Sequence, residues 1–169
     1  SNTLNRLQDE YLKKVSDRMN TLFLQIVGAD PQGAGGVFKK AEITQGYDIR
    51  VLSSEDRLLD PDHELNGASK RALTISFIWA LTEISGVVAP RAIDTPLGIM
   101  SGGVKRRVVE LVTGSRRHDE HPPNTNYLQV ILLLNRAEIL KVVDFVVKIA
   151  GVIKTNTNSE VYPTDLLNE

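Results

Sequence analysis

The 169-residue chain has no cysteine, which excludes disulfides and thiolate metal sites. Histidine is scarce at three residues, so a zinc site is not expected. There is one tryptophan, Trp79; set in an apolar segment, it reads as core rather than as a stacking platform. No apolar run reaches the ~18 residues of a membrane span. An excess of one charge is missing too. The net charge of −1 gives no global pull toward nucleic acid, so any such binding must come from a local patch. A phosphate-binding loop is also absent: Gln32-Gly33-Ala34-Gly35-Gly36 lacks the Lys-Ser/Thr pair that meets phosphate and Mg²⁺ in G-x-x-x-x-G-K-S/T, and it reads as a flexible loop.

What remains is an ordinary globular composition, 41% hydrophobic and 24% charged. A chain of this length can bury roughly 70% of its unfolded surface as one domain. The Ser1-Asn2 start, without Met, reads as a tag scar or an excised fragment, so a larger protein is expected around it.

Leu4, Leu7, Tyr11, Val15, Met19, Leu22 and Ile26 recur at steps of three and four, one face of an amphipathic helix. That face either packs on the domain or forms one strand of a coiled coil. Gly28 to Pro31 stops the helix. Val37–Ile43 and Tyr47–Leu52 around Thr44-Gln45-Gly46 predict a β-hairpin with a three-residue turn. Ser53 to His63 reads as loop.

The stretch from Glu64 to Ser101 organises the rest. Leu65-Asn66-Gly67-Ala68-Ser69 is a small-residue turn that feeds a helix ending near Ser85. That helix is apolar nearly all round and is therefore expected to be buried on every side. Gly86 caps it. Pro90 to Asp94 is a short strand delivering one carboxylate to its C-terminal end, where Pro96 and Gly98 forbid continuation. Open α/β sheets place ligands at such ends. Val104, Val108, Leu111 and Val112 mark a further helix. Tyr127–Leu134 is a strand of the kind covered on both faces, and Ala137–Ala150 a helix. The expected fold is α/β: a partial parallel sheet with flanking helices, preceded by the N-terminal helix and the hairpin.

In order and spacing, these motifs resemble the C-terminal half of an ABC-type ATPase head of the SMC/RecF/RecN kind. The string Asp94-Thr95-Pro96-Leu97-Gly98 is similar in particular to coiled-coil ATPases of bacterial DNA modification and defence such as DndD. The resemblance covers roughly Leu4 to Glu138. It implies a coiled-coil stub over residues 1–27 and a C-terminal head lobe over 28–169. It also implies that Leu65, Asn66, Gly67, Ala68 and Ser69 stand for the signature that closes over the γ-phosphate of ATP on an opposite head. Asp94 would be the Walker B aspartate holding Mg²⁺, Gly98 to Ser101 the D-loop, and Asn135 would stand at the switch position. ATP and Mg²⁺ would bind only in a complete head, with an N-terminal Walker A lobe and a second head as partners, DNA as a further one, no membrane, and a cytoplasmic setting.

The departures from that pattern are specific. Thr95 replaces the catalytic glutamate, and a hydroxyl can position a water but cannot accept its proton as a carboxylate does. Asn66 replaces the signature serine, Ala68 its second glycine, Ser101 the D-loop aspartate and Asn135 the switch histidine. Glu83 and Glu138 are the alternative carboxylates. Each motif also has a plain structural reading: Asn66 is a preferred helix cap, and Asp94 a residue closing a turn. Lys105-Arg106-Arg107 with Arg116-Arg117 is either a solvated charge run or a contact for DNA phosphates. The competing functional class is a non-hydrolysing head that scaffolds an assembly. A response-regulator-like sheet would need more strands than the sequence offers.

Overall fold

The structure, a computed structural model, describes residues 2–28, 36–87, 91–94, 97–98, 100–113 and 130–133. The chain divides into two compact units, Ser1–Val87 and Val88–Glu169. Among the described residues no helix is long and apolar enough to cross a membrane.

The first unit opens with α1, Asn2–Val27. Its apolar stripe is continuous, but the burial is not. Val15, Met19, Leu22 and Ile26 are buried, whereas Leu4 (63% exposed), Leu7 (55%) and Tyr11 (40%) are open. Gly28 ends the helix by donating its N–H to the Leu24 carbonyl, 3.0 Å away. A side chain there would start 2.8 Å from that same oxygen, so only glycine fits.

Three antiparallel strands follow, β1 (Phe38–Ile43), β2 (Ile49–Ser53) and β3 (Leu58–Leu59), in spatial order β1-β2-β3. Ala41, Val51 and Leu59 are their buried residues. The expected hairpin is present. The loop expected over 53–63 instead contains β3, because Leu58 and Leu59 pair with Leu52 and Val51 and bury Leu59. β1 is a sheet edge, and α1 closes it. Asn20 Oδ1 accepts from the Ala41 N–H at 2.8 Å, and Ser16 Oγ from the Ile43 N–H at 2.9 Å. Phe23 of α1 and Phe38 of β1 meet with ring centroids 5.3 Å apart.

The two turns of this sheet are built alike. In the first, Tyr47 N–H donates to the Thr44 carbonyl (2.9 Å), Thr44 N–H to the Asp48 carbonyl (2.9 Å), and Asp48 N–H to Thr44 Oγ1 (3.2 Å). In the second, Ser53, Asp56 and Arg57 repeat those bonds at 2.9, 3.0 and 3.1 Å. Each turn puts its fourth residue in the left-handed region, Tyr47 at φ 66° and Asp56 at φ 61°. Aspartate tolerates that conformation; a bulky aromatic does not. Tyr47, expected in the strand, therefore belongs to the turn, and Gly46 sits one position too early to relieve it.

α2 spans Gly67–Ser85. Gly86, at φ 65°, ends it in the left-handed conformation with its N–H on the Thr82 carbonyl. Ala72, Leu73, Ile75, Trp79 and Ala80 are buried, and α1 packs along this helix. Each large side chain so buried contributes about 1.5–3 kcal/mol. Burial on every side, expected from composition, is not found: Ile78 (43%) and Leu81 (42%) stay open. Among the described elements α1 is the one packed along α2, and it covers only part of that helix's surface. Arg18 of α1 grips Glu83 of α2 with both ends of its guanidinium, Nε to Oε2 and Nη2 to Oε1, the latter at 3.1 Å.

In the second unit, β4 (Arg91–Asp94) pairs in parallel with β5 (Val130–Leu133), and α3 spans Gly102–Thr113. This pair is what the described residues contain of a parallel sheet. Val104, Val108 and Val109 form the buried face of α3, near the spacing expected. The Gln32–Gly35 loop, the helix expected over 137–150, and residues 127–129 and 134 of the last expected strand lie outside the described residues.

Replacing Tyr47 by glycine removes left-handed strain from an exposed side chain that no packing holds (68% exposed). Tyr47→Gly should raise unfolding stability by about 1 kcal/mol in urea titration, strain relief offset in part by glycine's greater chain entropy. Asp56→Gly should change it by less.

Candidate functional site

Asn66 holds the entry to α2. Its backbone is extended (φ −68°, ψ 163°), its carbonyl accepts the first helical bond from Lys70 N–H at 2.9 Å, and its Oδ1 accepts from Ser69 N–H at 2.8 Å. A helix start leaves its first donors without intrahelical partners. Here the cap takes that of Ser69, which leaves the N–H groups of Gly67 and Ala68. Asn66 and Gly67 are exposed and Ala68 half-buried, while Leu65 (5% exposed) and Ser69 (2%) are anchored in the core. Of the five residues expected to act together, two are therefore anchors, one is the cap, and two offer donors to an anion.

Asp94 is the last residue of β4, opposite Leu133 in register, at the C-terminal end of the parallel pair. Its side chain, Thr95, Arg116, Arg117, Asn135 and Glu138 lie outside the described residues. Leu97 is fully buried and Gly98 half-buried in the turn beyond. Ser101 is exposed, and its carbonyl accepts from Lys105 N–H at 2.8 Å, opening α3. Asn66 to Ser69 belong to the first unit and Asp94 to Ser101 to the second.

The basic run on α3 is not a uniform charged face. Lys105 is buried (5% exposed), on the same helical face as the buried Val108 and Val109. Arg106 Nε lies 3.1 Å from Glu110 Oε1, and Arg107 Nη1 lies 3.2 Å from Glu110 Oε2. One carboxylate thus serves two guanidinium groups. Glu83, an alternative carboxylate for chemistry, is occupied by Arg18.

A polar cluster just before Asn66 was not evident from the sequence. Glu64 Oε2 accepts from Asp60 N–H at 2.8 Å and Oε1 from Arg57 Nη1 at 2.5 Å. Asp60 Oδ2 lies 2.7 Å from His63 Nδ1, and Oδ1 accepts from Asp62 N–H at 2.8 Å. The bond from His63, then that from Asp62 N–H, holds the Asp60 carboxyl below the usual carboxylate range. The Asp60 N–H, then Arg57, does the same for Glu64. Lys70 Nζ donates to the Asp62 carbonyl. Among the described residues no group of three or more His, Asp or Glu side chains is placed to hold a metal.

No protein-family model and no curated protein matches the sequence. Among solved structures the chain is similar to the SMC head domain from Thermotoga maritima, at 15% identity and a TM-score of 0.41. The match covers 79% of this chain and 44% of that one, so the chain spans less than half of that structure's length.

Removing the cap should be felt directly: Asn66→Ala lowers unfolding stability by about 1 kcal/mol, and Asn66→Asp restores it, read by chemical denaturation. Asp60 and Glu64 have folded-state pKa values below their unfolded ones, so their stabilisation is fully present above the ordinary carboxylate range and is lost as pH falls through that range and below it. Amide exchange at residues 60–66 should therefore rise on acidification, relative to α1, beyond the intrinsic pH effect. The Asp60→Asn, Glu64→Gln double variant should remove that excess.

Proposed function

We propose that this chain is the C-terminal lobe of an SMC/RecF-like ATPase head that acts on DNA in repair, modification or anti-phage defence. The observation that carries the reading is the order of two features along the chain. A capped helix with two uncommitted amides, at Gly67 and Ala68, is followed by a strand of a parallel pair that ends on Asp94. In such a head the first would face the γ-phosphate of a nucleotide held by a second head, and the second would hold Mg²⁺ through water. The donor chemistry fits both groups: backbone N–H at a helix start suits a phosphate oxygen, and a strand-end carboxylate suits a hard cation. Bound Mg-ATP would bring the transferable phosphoryl group, and phosphoryl transfer rests chiefly on positioning and charge stabilisation.

Thr95 would orient a water, Gly98 to Ser101 would form the D-loop, and Asn135 would take the switch position. The Walker A lobe comes from elsewhere in the same polypeptide or from a partner chain. The open Leu4, Leu7 and Tyr11 continue the stripe that is buried from Val15 onward, which favours a second helix along α1 in a coiled coil. Arg106 and Arg107, with Arg116 and Arg117, are the candidates for DNA phosphate; the burial of Lys105 takes one charge away from that face. The setting is cytoplasmic on this reading.

A second reading is a head that no longer hydrolyses ATP and scaffolds a DNA-associated complex. It is favoured by the residues at Asn66, Thr95, Ser101 and Asn135, none of which supplies the group the active pattern uses. One measurement separates the two. The complete ATPase assayed with Mg-ATP should turn over, and Asp94→Ala should reduce that turnover by about 100-fold or more. Equal, negligible rates for both proteins would leave the scaffold.

A further inference from the structure

The segment from Arg57 to Lys70 is tied at each step, and most of its ties end on backbone. Glu64 reaches back to the Asp60 N–H with one oxygen and to Arg57 with the other. Its own N–H donates to the Asp60 carbonyl at 2.9 Å. Asp60 in turn accepts from the Asp62 N–H and contacts His63, and Lys70, in the first turn of α2, donates to the Asp62 carbonyl. Arg57 is fixed at the other end, where its carbonyl accepts from Ser53 N–H and its own N–H meets Ser53 Oγ. A chain of bonds therefore runs from the β2–β3 turn to the helix start.

An exposed ion pair by itself stabilises little, because two long side chains lose freedom and water screens them. Glu64 differs in what it holds: one carboxylate joins a guanidinium anchored beside the sheet to a backbone donor in the loop. Such bonds fix the path of the main chain. We propose that Arg57 and Glu64 form a latch that sets the entry to α2, and that they are positioning residues for the phosphate contact at Gly67 and Ala68. The second part rests on the ATPase reading above; the latch itself does not. The titratable residues of the segment around it are Asp60, Asp62, His63 and Lys70, of which Asp62 takes part through its backbone N–H and carbonyl.

The test uses Glu64→Ala and Arg57→Met, with Glu64→Gln as the conservative variant and Arg6→Ala, which removes an exposed ion pair on α1, as control. Single-residue amide exchange at neutral pH should accelerate about three- to tenfold at 60–69 in the first two variants, less in Glu64→Gln, and not at all in the control. Exchange at Met19 and Trp79 should stay unchanged. In the complete ATPase the same variants should lower kcat by a similar factor at unchanged folded fraction. Unchanged exchange at 60–69, or acceleration spread evenly over α2, overturns the latch. Local acceleration with undiminished kcat, in an enzyme that Asp94→Ala silences, overturns the positioning role. Local acceleration in a protein without Asp94-dependent turnover supports the latch and removes the ATPase reading instead.

Discussion

Ser16, buried, and Asn20, half-buried, tie the sheet of the first unit to α1. The N–H groups of Ala41 and Ile43 point away from β2, and an edge strand with open donors invites pairing with a foreign strand. A helix normally offers a sheet edge nothing to bond, because its own backbone groups are spent. α1 solves this with one hydroxyl and one amide a turn apart, and with Phe23 against Phe38 it becomes the cover of the edge. The same helix packs along α2 and grips Glu83 through Arg18. Sheet and α2 are thus organised around a single rod.

Much of this was legible because the apolar spacing is regular. Val15, Met19, Leu22 and Ile26 fix the inward face of α1, Gly86 marks the end of α2, and Asn66 is a residue that caps helices. The failures have physical causes. Leu58-Leu59 is too short to carry a strand signal, and only pairing with Leu52 and Val51 makes it one. Thr44-Gln45-Gly46 suggested a three-residue turn with Tyr47 opening the strand, but the bond from Tyr47 N–H to the Thr44 carbonyl draws Tyr47 into the turn. α2 looked buried on all sides because its composition is apolar, yet composition counts residues and burial counts neighbours.

At the site, legibility followed locality. The cap is a three-residue relation and could be read directly. The phase of Lys105 was implicit in the valines around it, since four residues separate it from Val109 on the same face. The link from Arg57 to Glu64 spans seven residues and a turn, and no short pattern announces it. Neither does the pairing of Arg18 with Glu83, which are 65 residues apart in sequence.

α1 is one unbroken helix of 26 residues, and its solvent-open half extends roughly 20 Å before the packed half begins at Val15. A rod anchored at one end behaves as a lever. Torque applied near Leu4 has no hinge to dissipate it, no proline or glycine before Gly28, and would be delivered to the packing of α1 along α2 and to the Arg18–Glu83 grip. Mechanical input at the tip would then be felt first as a rotation of the grip on α2, well away from where the input was made.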